Sequence, residues 1–337
     1  MCNYSIIYEM TTPIPKSGIF ILTQNTSERK IYLKNCLYFL FKNYNKKYNY
    51  PVIILHEGDF DEKAQQEIKK SVRENHRHVV TFRQIDSTDF DIPAHIDKDR
   101  LNNIVKLQPV PYWRNERYRS MCYFWMKHFF KYTTDFDYVM RLDDDSIIEE
   151  PLVTDLFAAM VEKQHVYISN ILHVDCGICN YGMKTMFENL IPSAVQKLND
   201  KMFVSSKVPK NTDIMHKFKQ LYKINEGKDL NVNEDIITEM PIMYYNNFFV
   251  TDTRFWNRDD VKKIIDGIDQ NGGIFYYRYG DAPLQTIIVS ILEPNKATRT
   301  VFKYSKRLQR EAFIDSNNML HSYMPKSYDH SSCITHK

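Results

Sequence analysis

The stretch that decides the fold is Tyr138-Val-Met-Arg-Leu-Asp-Asp-Asp-Ser146, an apolar run that ends in three consecutive carboxylates. Its short, continuous apolar part predicts a strand that is buried on both faces. Side chains at i and i+2 of an extended chain point the same way, so Asp143 and Asp145 can share one target while Asp144 faces elsewhere. Crowded carboxylates have raised pKa values unless a cation neutralises them, and such oxygen ligands suit Mn²⁺ or Mg²⁺. The stretch therefore predicts a metal site at the end of a strand.

The same acidic run has a second interpretation as a helix cap. A side-chain oxygen of Asp145 or Ser146 can accept hydrogen bonds from the first amides of a helix that continues through 147–150. An Asp-x-Asp spacing is common, so it does not decide between the two interpretations by itself. The rest of the chain has to distinguish them.

Strand and helix patterns alternate upstream of the acidic run. Residues 18–23, 52–55 and 79–82 are short apolar runs of strand length, and the segments between them have helical patterns. Thr26 or Ser27 can cap the first helix, and the second begins at Asp61. This alternation predicts an α/β fold with a mostly parallel central sheet flanked by helices. Ligands of such sheets bind outside the carboxyl ends of the strands.

The connection to the acidic run and the second half of the chain are less regular. We expect a long connection over 93–111 and a helix over 117–132. A helix over 153–163, a strand over 166–172 and a poorly periodic stretch over 173–243 follow. The last predicted elements are a strand over 247–251, a helix over 257–269 and a helix that ends at Leu292. With no clean linker, we expect one domain over 17–325, a loose leader over 1–16 and a flexible tail over 326–337.

Composition excludes several classes of protein. The 337 residues include 45 Lys and Arg against 42 Asp and Glu, a net charge of +3. Neither this balance nor any basic block favours nucleic acid as a partner. No apolar run is long enough to span a bilayer, and residues 1–9 do not have the pattern of a signal peptide. These patterns predict a soluble protein of the cytoplasm.

Several segments together carry a family resemblance. They are Ile21-Leu-Thr-Gln-Asn25, Tyr118-Arg-Ser-Met-Cys122, Arg141-Leu-Asp-Asp-Asp145 and, most specific, Asn247-Phe-Phe-Val-Thr-Asp-Thr-Arg-Phe-Trp256 followed by Gly272-Gly-Ile-Phe-Tyr-Tyr-Arg-Tyr-Gly-Asp-Ala-Pro283. In order and spacing they resemble the α-1,2-mannosyltransferases of glycosyltransferase family 15, fungal Golgi enzymes that extend mannose chains from GDP-mannose. The resemblance covers residues 17–295. It implies a GT-A fold, a retaining reaction, Mn²⁺ or Mg²⁺ as cofactor, and a glycan or glycoprotein acceptor.

The resemblance also implies roles for particular residues. Asp143 stands where the family has a metal-binding Glu, and Asp145 is its partner acid. Tyr118 matches a tyrosine close to the donor, so we place it in the catalytic group together with Asp281. Asp281 is expected to accept a substrate hydroxyl, to cap the following helix, or both. The predicted contacts with substrate complete the set: Thr23, Asn25, Arg119, Arg141 and Asp144.

Two positions depart from the family pattern. Phe249 stands where the family has the Glu proposed as nucleophile, and a phenylalanine can neither attack an anomeric carbon nor stabilise an oxocarbenium ion. The family's late metal-binding histidine has no clear counterpart. His321 is the nearest candidate, and the alternative for it is an ordinary surface histidine.

Three functions follow from these patterns. The first is a metal-dependent, retaining transferase that moves a hexose, mannose by resemblance, from a nucleotide sugar. The second is a glycan-binding or nucleotide-sugar-binding pseudoenzyme that lost its chemistry with Phe249. The third is a metal-dependent nucleotidyl or phosphoryl transferase, which the absence of a phosphate-binding loop in the sequence disfavours.

Overall fold

A computed structural model describes most of the chain. It covers residues 15–107, 114–194, 198, 202–208, 210, 212–231 and 235–306, together with the backbone of 311–314 and 320–323. Most of the leader over 1–16 and the tail over 326–337 lie outside these residues, so the domain boundaries stay predictions. In the described part, no helix has both the length and the apolar character that crossing a membrane requires. The cytoplasmic location also stays a prediction.

The described residues form strands and helices in the following order. The strands are β1 (Ser17–Leu22), β2 (Val52–His56), β3 (Val80–Gln84), β4 (Tyr138–Asp143), β5 (Ser146–Ile148), β6 (Tyr167–Ser169), β7 (Leu172–Val174), β8 (Phe203–Lys207), β9 (Ile237–Tyr244), β10 (Phe248–Asp252), β11 (Ala297–Arg299), β12 (Tyr304–Lys306), β13 (Glu311–Ile314) and β14 (Leu320–Tyr323). The helices are α1 (Ser27–Leu40), α2 (Lys46–Tyr48), α3 (Glu62–Lys70), α4 (Lys98–Leu107), α5 (Glu116–Tyr123), α6 (Leu156–Glu162), α7 (Met183–Leu190), α8 (Asp213–Glu226), α9 (Thr253–Trp256), α10 (Asp259–Asn271), α11 (Gly273–Tyr276) and α12 (Asp281–Leu292).

The main sheet has the order β11-β6-β10-β4-β1-β2-β3. Strands β1, β2, β3 and β4 pair in parallel, whereas β10 runs antiparallel between β4 and β6. The predicted α/β class with a mostly parallel central sheet is confirmed. The antiparallel β10 was not foreseen, because an apolar strand pattern carries no information about strand direction.

The core lies on both faces of the main sheet, as the continuous apolar runs predict. Within β1, Ile19 and Ile21 pack on one face and Phe20 packs on the other, and all three are fully buried. Each such side chain stabilises the fold by about 1.5–3 kcal/mol relative to exposure. These runs fix the positions at which the strands end, and the residues after those ends form the candidate site.

The boundaries of several predicted elements were wrong. The long connection over 93–111 contains α4, and the strand over 166–172 divides into β6 and β7. The helix-cap interpretation of the acidic run was also wrong, because Ser146–Ile148 is a strand, β5, that pairs with β12. Thr26 and Asp61 do cap α1 and α3, where they accept hydrogen bonds from the amides of Arg29 and Ala64.

Candidate active site

The acidic run lies at the carboxyl end of β4 in the main sheet. Its three carboxylates face two directions. Asp143 and Asp145 both approach the ammonium of Lys306, whose Nζ lies 2.8 Å from Asp143 Oδ2 and 3.4 Å from Asp145 Oδ1. Asp144 points away from this ammonium, toward Thr23 and Arg29. The alternation expected of extended backbone is therefore present, and the target that Asp143 and Asp145 share is a lysine.

Asp144 is fully buried between the ends of β1 and β4. Its Oδ2 accepts a hydrogen bond of 2.6 Å from the Thr23 hydroxyl, and its Oδ1 accepts one from the Arg29 guanidinium in the first turn of α1. Burial raises the pKa of Asp144 to about 7, although Arg29 acts in the opposite direction. The described partners of Asp144 and Thr23 are thus protein groups, and their contact with a substrate stays a prediction.

Lys306 is held opposite the acids by backbone pairing. It ends β12, which runs antiparallel to β5 with Lys306 opposite Ser146. Burial lowers the pKa of Lys306, but Asp143 and Asp145 raise it more, so the net pKa lies well above its ordinary value. In the opposite sense, burial raises the pKa of Asp143, and Lys306 with Arg141 lowers it to a net value below normal. Both groups are therefore charged at neutral pH.

Arg141 connects the acidic run to α12. Its Nη2 lies 3.0 Å from Asp143 Oδ1, and its Nη1 lies 2.6 Å from Asp281 Oδ2. The same oxygen of Asp281 accepts a 2.6 Å hydrogen bond from Asn246 Nδ2. The Arg141 guanidinium also lies over the Trp125 ring, 3.8 Å from its centre, in cation–π geometry. The two predicted residues Arg141 and Asp281 thus belong to one buried network.

Asp281 opens α12 without capping it. The N-cap is Gly280, which has extended backbone angles and makes no side-chain cap hydrogen bond. The expectation that Asp281 is the N-cap was therefore wrong, because the helix begins at Asp281 itself. A carboxylate in the first helical turn is still stabilised by the helix dipole. The predicted role of Asp281 toward a substrate hydroxyl stays a prediction.

Tyr118 lies in α5 beside a second charged cluster. The Arg278 guanidinium carbon is 6.0 Å from the centre of the Tyr118 ring, and Arg278 Nη2 is 3.2 Å from Asp175 Oδ1. Arg278 has a φ of 83°, a strained value for a residue with a side chain, of the kind that clusters at functional sites. The thiol of Cys122 and burial together raise the pKa of Tyr118 far above normal, so its hydroxyl stays protonated.

Two predicted substrate contacts are engaged elsewhere. Arg119 is fully buried, and its Nη1 donates to the Phe275 carbonyl in α11 at 2.6 Å. Asn25 donates from Nδ2 to the Asp59 carbonyl at 2.7 Å. These contacts hold α11 and the loop after β2. Contact of either residue with a substrate stays a prediction.

Five residues of the site region were not predicted from the sequence: Lys306, Arg29, Asn246, Asp175 and Arg278. Lys306 lies 163 positions from Asp143, and Asp175 lies 103 positions from Arg278. No local pattern reports such contacts, because periodicity describes only neighbours within one element. The one signal for Arg278 was its place in the Tyr-Arg-Tyr-Gly-Asp segment that carries the family resemblance.

A divalent metal does not fit this arrangement as it stands. Asp143 meets Arg141 with one oxygen and Lys306 with the other, and Asp145 meets Lys306 as well. Within the described residues, no three His, Cys, Asp or Glu side chains are grouped so that they could hold a metal ion. His321 lies in β14, opposite Phe313 of β13, and its side chain is outside the described part. The metal-ligand roles of Asp143, Asp145 and His321 stay predictions.

Phe249 is fully buried in β10, next to the Arg141 position of β4. Its ring stacks on Tyr167 with 5.2 Å between the ring centres, and its centre lies 5.9 Å from the Arg141 guanidinium carbon. The place that a family carboxylate would take is therefore filled by a packed ring. No nucleophilic group is available at this position of the chain.

Solved structures of known proteins share this fold. Core-mannan synthase A (CmsA/Ktr4) of Aspergillus fumigatus, solved in an Mn/GDP form, aligns with a TM-score of 0.67 and 17% identity over 88% of this chain and 75% of that one. The mannosyltransferase Ktr4p of S. cerevisiae in complex with GDP aligns with a TM-score of 0.68 and 20% identity over 86% and 71%. These likenesses confirm the predicted GT-A-like fold.

Sequence relatives agree with the structural ones. The O-glycoside alpha-1,2-mannosyltransferase omh1 of Schizosaccharomyces pombe is 27% identical over 75% of this chain, and the glycolipid 2-alpha-mannosyltransferase 2 of Candida albicans is 26% identical over 74%. The matched part spans 59% and 50% of these two relatives. The family model of the glycolipid 2-alpha-mannosyltransferases matches residues 9–306. The chain belongs to that family.

Proposed function

We propose that the protein transfers a hexose from a nucleotide sugar, with GDP-mannose as donor and a glycan or glycoprotein as acceptor. The observation that carries the proposal is the continuous network Lys306–Asp143–Arg141–Asp281 at the carboxyl edge of the main sheet. In sheets of this kind, ligands bind at that edge. The names of the relatives support mannose as the sugar, and the GDP in both structural neighbours supports the nucleotide.

The charges of the network suit a diphosphate that leaves with a negative charge. Lys306 brings a partly exposed positive group to the edge where the donor is proposed to bind. Asp143 holds this group in place, and the buried Arg141 in turn holds Asp143. Positive groups that are oriented before the reaction stabilise the developing charge of a leaving group without further reorganisation. Mn²⁺ or Mg²⁺ was expected to supply this charge. Because the described acids do not fit a metal while Lys306 is in place, no step of the proposal depends on one.

Retention of configuration is also part of the proposal. The packed ring of Phe249 determines which retaining mechanism is proposed. A buried ring cannot form a glycosyl–enzyme bond, so a double displacement through this position is not available. In the proposed step the bond from the anomeric carbon to the diphosphate breaks and its electron pair leaves with the diphosphate. The acceptor oxygen then bonds to the same face of the sugar. The proton of the acceptor hydroxyl passes to an oxygen of the departing phosphate.

Incubation of the purified protein with radiolabelled GDP-mannose and a mannose-terminated glycan tests the proposal. We expect transferred sugar in excess of free sugar, an α-linked product by NMR, and no transfer from UDP-glucose. Tyr118→Phe removes the hydroxyl of a predicted catalytic residue and should lower kcat without lowering the melting temperature. Tyr32→Phe is the matched control, since Tyr32 lies on the outer face of α1 and bonds to Glu28. An absence of transfer from any nucleotide sugar would overturn the proposal.

A second function, binding without catalysis, is favoured by the packed ring of Phe249. A protein of this kind would bind a glycan or a nucleotide sugar and release neither free nor transferred mannose. The same incubation distinguishes it when paired with a binding measurement on GDP-mannose. Binding with no turnover supports the second function and contradicts the first.

A further inference from the structure

The position that Asp143 and Asp145 share already contains a positive charge. Lys306 Nζ lies within 3.4 Å of both carboxylates, and its side chain is only 19% exposed. A small divalent ion such as Mg²⁺, bound by the same two acids, would sit about 2.0–2.1 Å from their oxygens. Those oxygens face the ammonium, so the ion and the lysine compete for one place. We propose that Lys306 is the resident cation of the Asp143–Asp145 pair and that this chain binds a nucleoside diphosphate without a divalent metal. The second half of this inference rests on the proposed function.

Backbone pairing keeps the lysine at this place. Lys306 pairs with Ser146 in the β12–β5 ladder, directly beside the acidic run. Two residues earlier, the Tyr304 hydroxyl lies 2.5 Å from the Ser146 hydroxyl and donates to the Asn247 carbonyl at 3.2 Å. Strand β12, which carries Lys306, is thus hydrogen-bonded through Tyr304 to Ser146 and to Asn247. The contact of Lys306 with the acids is therefore held in place by strand pairing.

The charge count favours a single positive charge at this place. With Asp145, the network of Lys306, Asp143, Arg141 and Asp281 contains three carboxylates and two cations, so its charges balance to within one negative charge. A divalent ion added beside the ammonium would repel it across a few ångströms, where charges interact strongly. The acids are therefore close to neutralised by the chain itself.

Lysine is also chemically suited to a diphosphate. Its ammonium has three donors and binds phosphate as a point charge. Lys306 donates a hydrogen bond to Asp143 and forms an ion pair with Asp145 at 3.4 Å, and an ammonium with three donors can donate to a phosphate oxygen as well. The exposed part of the side chain lies at the sheet edge where the donor is proposed to bind. The lysine can therefore contact the phosphate that a metal contacts in other transferases.

Calorimetry on the wild-type protein gives the first test. GDP affinity measured in EDTA should lie within about twofold of the affinity in excess Mn²⁺. The variant Lys306→Met should lose about tenfold in EDTA and recover when Mn²⁺ is added. Lys303→Met is the matched control, because Lys303 lies three residues away with a side chain that is 75% exposed, and it should behave as wild type. A tenfold gain of wild-type affinity on adding Mn²⁺ would overturn the inference, and this result requires no variant to fold.

A titration of Mn²⁺ followed by electron paramagnetic resonance gives the second test. Wild type should leave the free-ion signal unchanged, whereas Lys306→Met should bind one Mn²⁺, and this site should vanish in the double variant that also carries Asp145→Asn. Equal Mn²⁺ binding by wild type and Lys306→Met, or no binding by a folded Lys306→Met, overturns the resident-cation inference. If no form binds GDP, the proposed function has failed. The Mn²⁺ titration still decides the role of the lysine.

Discussion

Two ion pairs in the same network differ in how closely the protein encloses them. The side chains of Arg141 and Asp281 are 3% and 7% exposed, and their charged atoms are 2.6 Å apart. The side chains of Lys306 and Asp143 are 19% and 21% exposed, and theirs are 2.8 Å apart. The distances are nearly equal, so the two ion pairs differ mainly in how far their side chains are exposed to solvent.

Exposure changes what an ion pair can do. A closed pair has lost most of its hydration, and removing one partner leaves a buried charge that water cannot reach. A partly exposed pair keeps some contact with water, so water or a ligand can replace one of its partners at a smaller cost than in a closed pair. The Arg141–Asp281 pair therefore suits a structural role that fixes the position of α12. The Lys306–Asp143 pair suits a role in binding.

Removing the closed pair should have the largest effect on stability. Asp281→Ala leaves the buried Arg141 guanidinium and the Asn246 amide without the oxygen that both contact, so we expect a loss of about 3–5 kcal/mol in the free energy of unfolding. Urea unfolding followed by circular dichroism measures this loss. Asp260→Ala is the control, because Asp260 pairs with Arg258 at the surface and should cost under about 1 kcal/mol. A loss for Asp281→Ala no larger than the control would contradict the closed-pair description.

The next largest effect is expected for Phe249→Glu. This change restores the carboxylate of the family pattern, but it buries the charge against Tyr167 and should cost about 3 kcal/mol at neutral pH. The new carboxyl would have a pKa raised by burial. A group with a raised folded pKa contributes full stability below its unfolded pKa and loses it as pH rises through the folded pKa. The variant should therefore approach the stability of the uncharged Phe249→Leu near pH 4, where only the lost ring packing remains, and fall behind it at higher pH.

The pH series of urea unfolding is the measurement, with Phe249→Leu as a control of similar shape and no charge. A pH-independent loss for Phe249→Glu would show that Arg141, whose guanidinium carbon lies 5.9 Å from the present ring centre, neutralises the new carboxylate. In transfer assays we expect no gain of activity from Phe249→Glu. An increase in transfer would mean that the family nucleophile is required and that the front-side step is wrong.

The acidic run shows how much of the site can be predicted from the sequence. The apolar run 138–142 and the acids after it predicted a buried strand and its end, because periodicity and burial are local properties. The common direction of the Asp143 and Asp145 side chains followed from the same local geometry. The family resemblance then predicted the GT-A-like fold, and both the family and the fold were confirmed.

The identity of the partners could not be predicted in the same way. Lys306 reaches Asp143 only because β12 folds back on β5, and nothing in the spacing of either segment predicts that pairing. The antiparallel direction of β10 and the contact of Asn246 with Asp281 are also tertiary facts. The pattern of acids predicted a metal ion at the strand end, whereas the contact of the same acids with Lys306 could be seen only in the fold.

A smaller effect is expected at Asp144, the acid that faces away from Lys306. Thr23→Val removes a 2.6 Å hydrogen bond to this fully buried carboxylate while preserving side-chain shape, and should cost about 1.5–2 kcal/mol. Thermal and urea unfolding measure the change. Thr81→Val is the control, since the Thr81 hydroxyl lies on the exposed part of β3 and makes only a 3.5 Å contact with the Val52 carbonyl. Equal losses in the two variants would mean that Asp144 finds another donor.

The smallest effect is expected for the open pair itself. Asp143→Asn removes one charge next to Lys306 and Arg141, but the ammonium keeps Asp145 and some solvent, Arg141 keeps Asp281, and the new amide oxygen can still accept a hydrogen bond. The free energy of unfolding should therefore fall by only about 1 kcal/mol. Asp281→Asn makes the same chemical change in the closed pair and should cost clearly more, because Arg141 then keeps only Asp143 and little solvent reaches the site. Salt should also distinguish the two, since added chloride screens an exposed pair more than a buried one. Urea unfolding of both variants at low and high salt is the measurement. If Asp143→Asn costs as much as Asp281→Asn and responds no more to salt, the Lys306–Asp143 pair is as closed as its neighbour, and its proposed exchange with a diphosphate is wrong.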